Sequence, residues 1–89
     1  MTFRLEYSDR AKRDIIDLPS QKIKDQIESA LLCLSHEPSL GKLLKGDFSG
    51  LWSYRSGDYR IIYRLYKSEL RMMVITVGDR RDVYRDRRE

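Results

Sequence analysis

Arginine and tyrosine are the residue types with which this 89-residue chain is equipped to do chemistry. Arg55, Arg60, Arg80 and Arg81 stand in its second half, with Tyr84 close behind them. A guanidinium grips phosphate through paired hydrogen bonds and stays charged, so it cannot accept a proton. At a phosphoryl centre its part would be to stabilise the charge that builds up on pentavalent phosphorus. On an RNA substrate the nucleophile would be the substrate's own 2′-OH, attacking the adjacent phosphorus. Tyr84 is then the candidate proton acceptor. Its ordinary pKa of about 10 is too high for an efficient base. Nearby arginines would lower it by favouring the phenolate.

Other chemistries lack their parts. His36 is the single histidine, so a two-imidazole acid–base pair cannot be assembled. There is no glycine-rich phosphate loop and no Gly-x-Ser-x-Gly nucleophile turn. Cys33 is alone, which excludes an intramolecular disulfide and leaves a structural zinc site short of ligands. Flanked by Leu31, Leu32 and Leu34, Cys33 is expected to be a buried structural thiol. His36 is expected at a helix C-terminus, where free carbonyls favour it. The acidic residues are scattered among bases, which suits ion pairs better than a two-metal carboxylate cluster. The expectation is chemistry without metal or cofactor.

The charge has a direction along the chain. Residues 1–40 carry six basic and seven acidic residues, whereas residues 41–89 carry twelve basic and seven acidic. A basic second half points to a polyanionic partner. With 40% hydrophobic residues the composition suits a folded domain, and the length suits one modest core, so residues 1–89 are expected to form a single domain. No apolar run approaches the roughly 18 residues that cross a bilayer. The N-terminal residues lack the apolar stretch of a signal peptide, so the expected location is the cytoplasm, with no membrane partner.

The pattern of side chains then supplies the elements that must position these arginines. Residues 2–7 alternate apolar and polar, which predicts a half-buried strand. Ser8 can cap a helix whose apolar face is Ala11, Ile15 and Leu18, with Ile16 at its edge and Pro19 as its stop. Ser20 can cap a second helix with the stripe Ile23, Ile27, Ala30, Leu31 and Leu34, ending at His36–Glu37 before Pro38. Residues 51–55, 59–66 and 70–77 read as strands, joined by turns at Ser56-Gly57-Asp58 and Lys67-Ser68-Glu69. The predicted fold is α+β, in the order β-α-α-β-β-β, with a small antiparallel sheet packed on an N-terminal helical hairpin. Trp52, Tyr54, Tyr59 and Tyr63 share the strand face that meets the helices. Pleat alone then gathers Ser53, Arg55, Arg60 and Arg64 on the opposite face. Arg64 and Arg71 read as solvated or ion-paired residues.

The elements Leu44-Lys45-Gly46, Gly57-Asp58-Tyr59-Arg60 and Val77-Gly78-Asp79-Arg80-Arg81-Asp82-Val83-Tyr84, in this order, resemble the RelE family of the RelE/ParE toxin superfamily. The resemblance runs along the whole chain and includes Ser8-Asp9-Arg10-Ala11-Lys12-Arg13. It implies a small antiparallel sheet with a helical hairpin. It also implies the toxin of a type II toxin–antitoxin system, an mRNA interferase that enters the ribosomal A site and cuts the codon there. A cognate antitoxin would wrap the toxin and block it. By position, Arg60 resembles the arginine that contacts the scissile phosphate, and Arg80 the second phosphate-stabilising arginine. Tyr84 resembles the C-terminal tyrosine of proton transfer, and Arg55 a basic residue on the second strand.

Two positions depart from the family pattern. Leu51 and Ser53 stand where some members carry a pair of lysines, so Lys42 or Lys45 would supply that part of the RNA-binding charge, with Ser53 and Arg81 expected to contact the RNA beside them. Asp79 stands where relatives often have histidine, beside Arg80. Two other functions fit the same residues. One is a ParE-like toxin that inhibits DNA gyrase, which shares the fold and needs no catalytic tyrosine. The other is a non-catalytic RNA- or ribosome-binding domain, recognised by steep salt dependence without product formation.

Overall fold

A computed structural model describes residues 2–79. Strand β1 (Arg4–Tyr7) leads into helix α1 (Asp9–Ile16) and then the longer helix α2 (Gln21–His36). Four strands follow: β2 (Lys42–Leu43), β3 (Trp52–Ser56), β4 (Tyr59–Tyr66) and β5 (Arg71–Asp79). Both predicted caps form, with the Ser8 hydroxyl accepting from the Ala11 N–H and the Ser20 hydroxyl from the Ile23 N–H. Helix α1 stops at Ile16, earlier than Pro19 requires, while Leu18 beyond its end is buried. The predicted α+β architecture holds: two helices cover one face of the sheet.

The sheet has five strands in the order β1-β5-β4-β3-β2. Strands β3, β4 and β5 are antiparallel neighbours, as their short hairpin turns require. The first strand makes the sheet mixed, since it lies parallel to β5 with Arg4 opposite Arg71 and Tyr7 opposite Val74. That pairing joins distant parts of the chain: the helix pair carries it from β1 to the far edge at β2, and β3 and β4 lead back to β5. The two-residue β2 pairs with β3, Lys42 opposite Ser53, and is too short to leave a period of its own.

One core lies between helices and sheet. Ala11, Leu18, Ile27, Leu31 and Leu34 meet Ile61, Tyr63, Met72, Val74 and Val77, with Trp52, Tyr54 and Tyr59 packed at its border. Tyr63 is fully buried; its hydroxyl donates to the Pro38 carbonyl at 2.6 Å, and its ring stacks on Trp52 with centroids 6.3 Å apart. Cys33 corrects the sequence reading: it is exposed. A residue two places from Leu31 lies about 200° round the helix, and the buried stripe already faces the sheet. His36 is the last residue of α2, and its Nδ1 lies 3.2 Å from the Thr2 hydroxyl.

A β-bulge sets the geometry of the other face. Register slips between Ile62 and Tyr63, leaving Ile75 as the extra residue of β5. Helix α1 holds this bulge at two points. The Ser8 hydroxyl donates to the Ile75 carbonyl at 2.7 Å. The Asp14 carboxylate accepts from the Thr76 hydroxyl at 2.7 Å and the Val77 N–H at 3.0 Å. On the helix-free side, Leu51 and Ile62 form a second small buried cluster with Leu44, Phe48 and Ile75.

Candidate nucleic-acid interface

Arg55 and Arg60 stand directly opposite each other in the β3–β4 ladder. Directly opposed residues share a face, with Cβ atoms about 4.5–5.5 Å apart. The turn between them fixes this register. Ser56 pairs with Tyr59, which leaves Gly57 and Asp58 as a two-residue loop. Gly57 has φ 62°, as the first central position of a type II′ turn demands. From α2, the Gln26 amide donates to the Ser56 carbonyl at 2.9 Å and its hydroxyl at 3.1 Å, tying the hairpin end to the helix layer.

The two guanidinium groups are held differently. Arg60 is half-buried and donates through Nη1 to the Ser53 hydroxyl at 3.0 Å. Arg55 is exposed, and its Nε donates to the Gly57 carbonyl at 3.0 Å. On the far side Arg60 pairs with Gly78, which has no side chain to occupy that space. Lys42 lies opposite Ser53, so this exposed cation joins the same face at the sheet edge. Lys45 is exposed just before a 3-10 turn over Gly46–Phe48. Arg71 is ion-paired, with Glu6 at 2.6 Å and Glu69 at 2.9 Å. Arg64 is half-buried.

The structure thus brings Arg55, Arg60, Ser53 and Lys42 onto one helix-free face. Arg80, Arg81 and Tyr84 lie outside the described residues. Ser53 differs from its sequence reading as an RNA contact: it is 3% exposed and is engaged with Arg60. Asp14 was not singled out from the sequence, because nothing local distinguishes a helix carboxylate that reaches a bulge from a solvated one. Burial pushes the Tyr63 hydroxyl up to about 12, so this tyrosine stays neutral and gives no proton acceptor. Among the described residues no three His, Cys, Asp or Glu side chains gather as a metal ion would need.

A groove of about 550 Å³ lies on the opposite side, between α1, α2 and β1. Its walls include Leu5, Tyr7, Ile15, Ile27 and Leu31. Ile16 and Leu32 on its margin are 69% and 59% exposed. It is apolar and on the helix side of the sheet, away from the arginine face.

This geometry has relatives. The family described as ParE toxin of the type II toxin–antitoxin system, parDE, matches residues 5–84. Toxin RelG of Mycobacterium tuberculosis is 33% identical over 86 residues, covering 96% of this chain and 99% of that protein. Toxin RelE of the same organism is 36% identical over 76 residues, covering 84% of this chain and 78% of that protein. The crystal structure of the toxin–antitoxin complex RelBE2 from M. tuberculosis superposes with a TM-score of 0.80 at 30% identity, covering 90% of this chain and 100% of that one. The chain belongs to the RelE/ParE superfamily, the toxins of type II toxin–antitoxin systems. Within that superfamily it is a toxin of the RelE type.

Proposed function

We propose that the chain, acting as one domain over residues 1–89, is a ribosome-dependent endoribonuclease that cuts mRNA in the A site and so halts translation in the cytoplasm. The observation that carries this is the Arg55–Arg60 pair on the helix-free face. Like charges placed directly opposite destabilise a sheet, so folding alone does not favour them. An anion between them turns the repulsion into a clamp. Its shape suits a phosphodiester, because two planar guanidinium groups offer parallel N–H donors.

In the proposed reaction the substrate's 2′-oxygen bonds to phosphorus as the bond to the 5′-oxygen breaks. The products are a 2′,3′-cyclic phosphate and a 5′-hydroxyl. Arg60 and Arg55 bind the phosphate and stabilise its added charge, and Arg80 joins them. Tyr84, as phenolate, takes the 2′-OH proton, and the departing 5′-oxygen takes a proton from solvent water, to which Tyr84 later returns its own. Lys42, Lys45 and Arg81 grip the RNA backbone. The protein partner is a cognate antitoxin, the class of partner with which the RelBE2 toxin was crystallised.

Purified protein should cut mRNA only when ribosomes are present, with cleavage mapped by primer extension. Intact ribosome-bound mRNA from cells that are dying would overturn the proposal. A second reading has its own support, since the matching family description names ParE. In that case the protein would block DNA gyrase in a supercoiling assay, and Tyr84→Phe would leave toxicity intact. Binding with steep salt dependence and no product would indicate the non-catalytic alternative.

A further inference from the structure

We infer that Ser53 is a positioning residue, which aims the Arg60 guanidinium at the scissile phosphate and does not itself touch RNA. The inference rests on the proposed role of Arg60 as a phosphate clamp. Three observations carry it. Ser53 is 3% exposed, so its hydroxyl is withdrawn from any ligand on the surface. That hydroxyl accepts from Arg60 Nη1 at 3.0 Å. The register sets the two residues on adjacent strands of one face, Ser53 opposite Ile62 and Arg60 two positions away, so the guanidinium must lie across the strand to reach it.

An arginine side chain has several rotatable bonds and loses much entropy when it is ordered. A fixed acceptor at its tip meets that loss before substrate arrives. The remaining donors of the planar fork are then fixed in direction as well. Placement of this kind is what catalysis by charge stabilisation needs, because the donors must already point to where the charge will develop. A lysine at position 53 would bring a charge of its own. A serine brings an uncharged hydroxyl that accepts from Arg60, and the charge comes from Lys42, its opposite neighbour on β2.

The test compares Ser53→Ala, Ser53→Thr, Arg60→Ala and the Ser53→Ala/Arg60→Ala double variant in single-turnover cleavage of ribosome-bound mRNA. Ser53→Ala should lower the rate constant at saturating ribosome about tenfold, with half-saturation little changed. Ser53→Thr keeps the hydroxyl and should recover most of the rate. In the Arg60→Ala background, Ser53→Ala should add nothing. Ser53→Ala as active as wild type, or a loss that multiplies fully with that of Arg60→Ala, would overturn the inference. Arg60→Ala retaining full activity would sink the clamp reading itself. A second readout does not depend on cleavage. The guanidinium NMR signals of Arg60 should show hindered rotation in the wild type and faster averaging in Ser53→Ala. Equal averaging in both would refute positioning whatever the protein does to RNA.

Discussion

Arg60 is half-buried on the helix-free face, opposite a second arginine and bound to a buried serine. Its replacement should separate activity from stability. Arg60→Ala is expected to slow cleavage about 10²–10³-fold, leaving a measurable single-turnover rate, while changing unfolding free energy by only about 1 kcal/mol, since it sits outside both apolar clusters. Thermal unfolding beside the cleavage assay checks this, and a large loss of folding would make Arg60 structural. Tyr63 makes the opposite kind of prediction. Its deprotonated form is the charged one, and burial raises its pKa to about 12 from an ordinary value near 10. The stability this contributes is fully present below pH ~10 and is lost as pH rises toward ~12. Melting temperatures across that window should fall more steeply for wild type than for Tyr63→Phe.

At the scale of elements, the link between α2 and β2 depends on close approach. A Cβ on Gly41 would lie 2.1 Å from the Tyr63 hydroxyl and 3.0 Å from the Ser53 carbonyl. Neither partner is free to retreat, since Tyr63 is wholly buried and the carbonyl is backbone. Gly41→Ala should therefore cost about 1–3 kcal/mol in denaturant unfolding, the range for overpacking. Combining it with Tyr63→Phe, which removes the clashing oxygen, should cost less than the sum of the two single changes. Full additivity would show that the clash is relieved by backbone movement. The caps at Ser8 and Ser20, the β3–β4 hairpin and the helix stripes were all legible in the sequence, because each depends on residues within a few positions. The bulge at Ile75 and its Asp14 anchor were not. They join residues 62 apart in the chain, and no local pattern records them.

At the scale of the whole molecule, the sheet separates two surfaces. One side presents the apolar groove beneath α1 and α2, and the other presents Arg55, Arg60 and Lys42. Salt dependence should report which side meets RNA. Each phosphate contact on a single strand contributes about 0.7 to the slope of log affinity against log salt. Arg55→Ala and Lys42→Ala should each reduce the slope by about that amount. Lys24→Ala, on the groove side, should leave it unchanged. Equal effects from all three would mean that binding follows net charge and not one face.

The sequence by itself determined the α+β composition, the helix boundaries set by caps, and the faces on which Arg55, Arg60 and Ser53 lie. Periodicity and turn chemistry are local, and pleat fixes a side chain's face once a strand is granted. Tertiary structure alone decided that β1 closes the sheet in parallel beside β5, that a two-residue β2 brings Lys42 opposite Ser53, and that Cys33 faces outward. It also turned Ser53 from a surface contact into a buried partner of Arg60. These outcomes depend on which distant segments come together, and that is set by packing across the whole chain.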